Sequence, residues 1–313
     1  MTMVRPRDVA STNGLSRVLS AGLAFVASCG SQAAMRGLPD DGGATPGDGS
    51  PFDSSSIDGR LTDGRAADGQ LSDSQPVDGC PVSSPPLAGP GHTPGNPGLG
   101  AHRMSYCKYL ANLPPSLSTP PMATQPSGST IIVGVGRGDL TKFVSPTDNY
   151  GNAPYQLMDG VRPYNHPYEN SGTAVYVLTS ATGGSDFQVT NATRAGAKED
   201  EITLAAVEIV EGTRIADHAW NVVDSAPLTS GTVTTTRAAT LVAFWWGSGF
   251  PGTPQSATPN NDFVLIDTNA YETGSFVQGA VAVKNVTAPD TYDVTWTATP
   301  AQGAQMWLIA VEK

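Results

Sequence analysis

Tyrosines, asparagines and a single arginine crowd one stretch of this 313-residue chain. Residues 148–170 read DNYGNAPYQLMDGVRPYNHPYEN and hold Tyr150, Tyr155, Arg162, Tyr164, His166 and Tyr168. A tyrosine offers a large, stiff aromatic face with a polar tip, and Asn and Asp beside it add hydrogen bonds. That chemistry suits stacking of a polar ligand such as a glycan. The same residues also suit a plainer role, in which a long strand connection seals one end of a core. Adjacent Trp245 and Trp246 must point to opposite faces of a strand. One belongs to the core; the other, taken as Trp246, is either covered by a loop or forms a second stacking platform.

Acid catalysis would draw on a pair of facing carboxylates. Glu208, Glu211, Asp217, Asp262 and Asp267 are the candidates. Glu208 lies between Val207 and Ile209, so alternation predicts a solvated strand residue. His218, in the run ADHAWN, reads as a hydrogen-bonded structural residue. The chain contains no nucleophile elbow, phosphate loop or zinc-binding helix motif. The expectation is a binding module rather than an enzyme, with no cofactor and no metal.

The elements that must carry these residues begin near 129. Short β-branched and apolar runs alternate with Gly, Pro, Asn and Asp turns up to residue 313. Strands are expected near 130–137, 173–180, 186–191, 201–211, 215–223, 231–236, 239–247, 262–267, 274–286, 291–299 and 304–312. Residues 291–299, TYDVTWTAT, place Tyr292, Val294, Trp296 and Ala298 on one face. LVAFWW and MWLIAV are continuous apolar runs, the mark of strands that are central or covered on both faces. The fold class expected is all-β: one antiparallel β-sandwich over 129–313, jelly-roll or immunoglobulin-like.

Upstream the composition changes. Residues 29–79 form an acidic linker in which Asp48, Asp53, Asp58, Asp63, Asp68, Asp73 and Asp78 recur every fifth residue, mostly before Gly. One aspartate per turn is poor provision for calcium, which takes several oxygen ligands at once. An extended, self-repelling and disordered spacer is the expectation. Residues 80–128 are rich in Pro and Gly, and 101–113, AHRMSYCKYLANL, is read as a short helix. His92 and His102 lie near Cys80 and Cys107 but match no zinc spacing. The formal net charge is -11 and no basic run follows the N-terminus. Binding to nucleic acid by phosphate neutralisation is therefore not expected.

The first 28 residues have the form of an export signal. Arg5, Arg7 and Arg17 precede a short apolar run, Val18 to Ala27, with small residues before Cys29. Val26-Ala27-Ser28-Cys29 resembles the lipobox of bacterial lipoproteins, with Val26 where Leu is usual. The resemblance implies cleavage before Cys29, lipidation of its thiol and a membrane anchor of several acyl chains, enough for stable attachment. Gly30 stands where an Asp would favour inner-membrane retention, so the outer membrane is the implied destination. Cys80 and Cys107 are then left either as a disulfide in an oxidising compartment or as two free thiols. The roughly fifty residues from Cys29 to Cys80 give a reach of roughly 40 Å. Residues 148–155 also resemble a DN-x-GN-x-Y segment of uncharacterised secreted bacterial β-domains. The expected whole is a lipid-anchored envelope protein displaying a binding or adhesion module for a glycan or other polar ligand. A β-sandwich hydrolase and a structural lipoprotein without ligand are the alternatives.

Overall fold

The computed structural model describes residues 98–110, 115–164, 170–192, 200–247, 255–270 and 278–313. The segment read as an export signal, Cys29, the Asp repeat, Cys80, His166 and Tyr168 lie outside them. Eight strands come first: β1 (Leu99–Leu110), β2 (Ser116–Ser118), β3 (Ser127–Arg137), β4 (Thr147–Asp148), β5 (Gln156–Tyr164), β6 (Ser171–Thr182), β7 (Val189–Ala192) and β8 (Asp200–Ile209). Ten follow. They are β9 (Arg214–Val223), β10 (Leu228–Thr229), β11 (Val233–Thr234), β12 (Ala239–Gly247), β13 (Ser256–Pro259) and β14 (Val264–Thr268). The last are β15 (Gln278–Val286), β16 (Thr291–Tyr292), β17 (Thr295–Thr299) and β18 (Ala304–Glu312). The all-β, antiparallel sandwich expected from the sequence is what this part of the chain forms.

The topology is duplicated. In the first half the sheets run β1-β8-β3-β6-β5 and β2-β7-β4. In the second they run β9-β18-β12-β15-β14 and β10-β17-β13. Pairing is nested in both: β1 with β8, β2 with β7 and β3 with β6, then β9 with β18, β10 with β17 and β12 with β15. Even the small pair β11–β16 has a counterpart, the single bridge Met122–Phe187. Nested pairing of first with last strand is the jelly-roll arrangement. The departure is that β5 and β14 join the larger sheet of their half through β6 and β15. The correspondence reaches single atoms. Asn149 Oδ1 accepts from Gln188 N at 2.8 Å, and Asn260 Oδ1 accepts from Thr295 N at 2.7 Å. In both cases the asparagine's own N–H returns a bond to the partner's carbonyl.

Three cores hold the layers together. Ile131, Val133 and Val135 of β3 meet Leu117, Phe187 and Val189 inside the first jelly roll. Leu241, Ala243 and Trp245 of β12 meet Leu228, Val294 and Trp296 inside the second. The alternate residues of the same strands form the third core, where the two five-stranded sheets face each other. Ile132, Val175 and Val207 there pack against Phe244, Trp246, Trp307 and Ile309. The large sheets are therefore apolar on both faces, the physical reason that LVAFWW and MWLIAV read as unbroken runs. Gly134 lets the sheets close over the aromatics, since a Cβ there would lie 2.7 Å from the Phe244 ring and 2.9 Å from Trp246.

Two expectations are corrected. Residues 101–110, within the segment read as a helix, belong to a strand, and the first jelly roll begins with Leu99, not at 129. The period of two was hidden because His102 and Ser105 are polar yet buried, beside Ala101, Met104 and Cys107. Residues 156–164 also form a strand rather than an irregular loop. It is an edge strand that tolerates Pro163, and its bulge places Asp159 (φ 55°) and Gly160 (φ 84°) in the left-handed region.

Candidate functional site

The central seam between the large sheets has two edges, β1 over β14 and β5 over β9. At β5–β9 it opens into a groove of ≈ 420 Å³ lined by Gln156, Leu157, Met158, Val177, Thr179, Ile215, Ala216, Asp217 and His218. Both strands are sheet edges, and β9 stays partly exposed along its length. Met158, Val177 and Ile215 belong to the central core, so the floor is apolar. Leu157 stands on the rim at 44 % exposure.

The polar end of the groove is an ordered chain of charges. Asp159 pairs with Arg162 Nη2 at 2.9 Å and lies 3.6 Å from His218 Nε2. The Arg162 guanidinium in turn sits 4.5 Å above the Trp220 ring, a cation–π contact. Partial desolvation pushes the Asp159 carboxyl upward, but the bond and charge of Arg162, with His218, outweigh it and hold the group below its ordinary value. Asp217 is tied to the backbone: its two oxygens accept from His218 N and Thr234 N, both at 2.8 Å. The site thus offers an apolar strip beside hydrogen-bonding Gln156, Thr179 and His218. A ligand with one apolar face and several polar edges fits that lining.

Of the residues singled out from the sequence, Asp217 and His218 line this groove, and Arg162 adjoins it through Asp159, which lies between Arg162 and His218. Tyr155 is buried at 4 % exposure, with its hydroxyl donating to Asp148 Oδ2 at 3.0 Å. Burial, with the Asp148 charge, raises its phenol well above the ordinary tyrosine value. Tyr150 stacks on Phe187 at 5.7 Å and donates to Asp186 at 2.6 Å, a bond that raises its pKa. Tyr164 is buried at the end of β5. Tyr150 and Tyr155 pack into the core of the first jelly roll, the plainer of the two roles read from the segment. Trp246 is 2 % exposed and stacked on Phe244 in the central core, so it is no platform for a ligand.

The carboxylates are dispersed. Glu211 pairs with Lys313, and Asp262 lies 4.0 Å from Lys284. Asp267 is buried and accepts from His102 Nδ1 at 2.7 Å, across the β1–β14 edge of the seam. Glu208 is 1 % exposed, not solvated, and serves as an acceptor for three donors around it. Cys107 is buried and disulfide-bonded. Sequence reasoning missed Asp159 and Trp220. The Asp159-Gly160 dipeptide was the available signal, since Asp-Gly favours left-handed backbone and so marks a turn or bulge. Comparison with known protein families, characterised proteins and solved structures finds no match to this chain.

Proposed function

We propose that this chain is a lipid-anchored envelope protein whose tandem jelly-roll body binds a polar ligand of the glycan type in the β5–β9 groove. The observation that carries the reading is the groove itself. Its volume falls in the range of small-ligand sites, and it joins an apolar floor to a fixed Asp159–Arg162–Trp220 array. The Val26–Cys29 sequence supports the anchor at Cys29, by its likeness to a lipobox, and the linker that follows supplies reach. A pairing of Cys107 with Cys80 fits the exported setting.

The test has two arms. In the first, the full chain is screened against envelope glycans, and hits are titrated against Leu157→Asp, Arg162→Ala and His218→Ala. A groove ligand loses about tenfold or more in affinity in at least two variants, the effect of removing central contacts. Unchanged affinity in all three removes the groove from consideration. In the second, Cys29→Ala is expressed in the native host and fractionated. Release into the soluble fraction supports the anchor; retention after carbonate washing refutes it.

A further inference from the structure

Glu208 and Glu312 hold the same place in the two jelly rolls. Each follows an Ala-Val pair, Ala206-Val207 and Ala310-Val311, near the end of the closing strand, and each is buried. Across the ladder Glu208 faces Ile131 as Glu312 faces Ala239. Their Oε1 atoms are satisfied alike, by one backbone N–H and one hydroxyl. Glu208 Oε1 accepts from Gln125 N at 2.7 Å and Ser129 Oγ at 2.6 Å. Glu312 Oε1 accepts from Thr236 N at 2.5 Å and Thr236 Oγ1 at 2.8 Å.

The Oε2 atoms differ. Glu312 Oε2 takes two guanidinium donors, Arg214 Nη1 at 2.6 Å and Arg237 Nε at 3.1 Å. The Thr236 backbone bond, its hydroxyl and these two arginines together hold the Glu312 carboxyl below its ordinary value against the opposing pull of desolvation. Glu208 Oε2 takes the backbone N–H of Ala101 at 2.9 Å and pairs with no basic side chain among the described residues. The positions that hold the arginines explain why. Ser129 precedes Ile131 by the same interval at which Arg237 precedes Ala239, and the Gly100–Ala101 bulge lies opposite Glu208 where Arg214 lies opposite Glu312. In place of two guanidinium groups the first half has a pocket of ≈ 210 Å³, lined by Gly100, Ala123, Thr124, Gln125 and Val210 beside the carboxylate. Gly100 keeps it clear, because a Cβ there would lie 2.2 Å from Glu208 Oε2. Buried carboxylates without a counter-charge are costly, and they favour whatever cation can reach them.

The geometry points to a binding site for a cationic nitrogen, the guanidinium or primary ammonium group of a ligand, seated in this pocket against Glu208 Oε2. The second half displays the occupant that this oxygen takes when the chain supplies it internally: N–H donors carrying positive charge. A metal ion fits less well, since no group of three or more His, Cys, Asp or Glu gathers among the described residues. The site is separate from the β5–β9 groove and stands whether or not a glycan binds there.

Methylguanidinium is titrated into the isotopically labelled full chain while the amides of Ala101 and Gln125, both donors to Glu208, are followed by NMR. The expected result is a saturable shift centred on these two amides, with none from tetramethylammonium, which carries the charge but no N–H. Ser129→Arg installs in the first half the donor that the second half has in Arg237. It gives up the Ser129 hydroxyl bond to Glu208 and is expected to abolish the response in a chain whose dispersed amide spectrum shows that it is still folded. Glu208→Gln is expected to weaken binding by about tenfold or more, the loss of a charge-assisted bond. Should Glu208→Gln fail to fold, Ser129→Arg decides the matter. No saturable shift with methylguanidinium overturns the proposal. So does an equal shift with tetramethylammonium or with calcium alone, or an undiminished response in Ser129→Arg.

Discussion

Both edges of the central seam carry a histidine opposite an aspartate, and the two pairs behave as different materials. At one edge His102 of β1 meets Asp267 of β14 at 2.7 Å, with both side chains shielded from water. At the other, His218 of β9 lies 3.6 Å from Asp159 of β5, and the side chains are 30 % and 44 % exposed. The duplicated topology makes β1 the counterpart of β9 and β14 the counterpart of β5, so the pairs join equivalent strands of opposite halves. Burial separates them. In the sealed edge the aspartate accepts the Nδ1 proton and locks the sheets, while His102 Nε2 has no hydrogen-bond partner among the described residues. In the open edge Asp159 is shared with Arg162, water competes for every group, and the sheets part into a groove. A duplicated fold can thus use one copy of a contact for cohesion and leave the other open to solvent.

The sealed edge is where the contrast breaks most visibly. Asp267→Ala leaves a buried imidazole without its acceptor and is expected to cost about 3–5 kcal/mol, as when one partner of a buried pair is removed. Urea unfolding measures this. A loss below about 1 kcal/mol would make the two edges alike. Next in size is Glu208→Ala, which strands the N–H groups of Ala101 and Gln125 and the Ser129 hydroxyl. The expected cost is about 1–3 kcal/mol, read from the same unfolding curves.

The smallest effect belongs to the open edge. Asp159→Asn is expected to cost less than about 1 kcal/mol, the range for an exposed pair. Its pH dependence has a definite sign. The folded Asp159 carboxyl titrates below its ordinary value, so its contribution is present above the ordinary aspartate pKa of about 3.9 and is lost as the pH falls through the depressed value. Wild type and Asp159→Asn should therefore differ slightly near neutrality and converge in acid, as thermal melts across pH would record. A difference that widens in acid would reverse the assignment. The same variant should weaken any groove ligand, because Arg162 loses the carboxylate that holds it over Trp220.

Much of the fold was legible because the large sheets are covered on both faces. Segments such as 239–247 and 304–312 have no polar face, and their length and β-branched content marked them as buried strands. Two of their neighbours were illegible for opposite reasons. β1 buries His102 and Ser105, so its pattern imitates a polar surface. β5 contains Asp159, Gly160 and Pro163, which read as loop residues, yet an edge strand with a bulge accepts all three. The duplication left only faint traces, such as Ala206-Val207-Glu208 against Ala310-Val311-Glu312. The two halves share pairing and register, while most core residues differ in size. The tyrosines of 148–170 attracted a binding role because an aromatic with a polar tip has the same composition whether it faces a ligand or an internal carboxylate.

What the residues alone determined was an all-β, antiparallel body and the strands at its centre, since alternation and continuous apolar runs are local properties written along the chain. Which groups meet was decided only by folding. Asp159 and His218, His102 and Asp267, and Glu208 and Gly100 are each brought together by strand pairing or by the stacking of one jelly roll on the other. Their partnership depends on distances between segments about sixty to more than one hundred and sixty residues apart, and no local pattern carries that information.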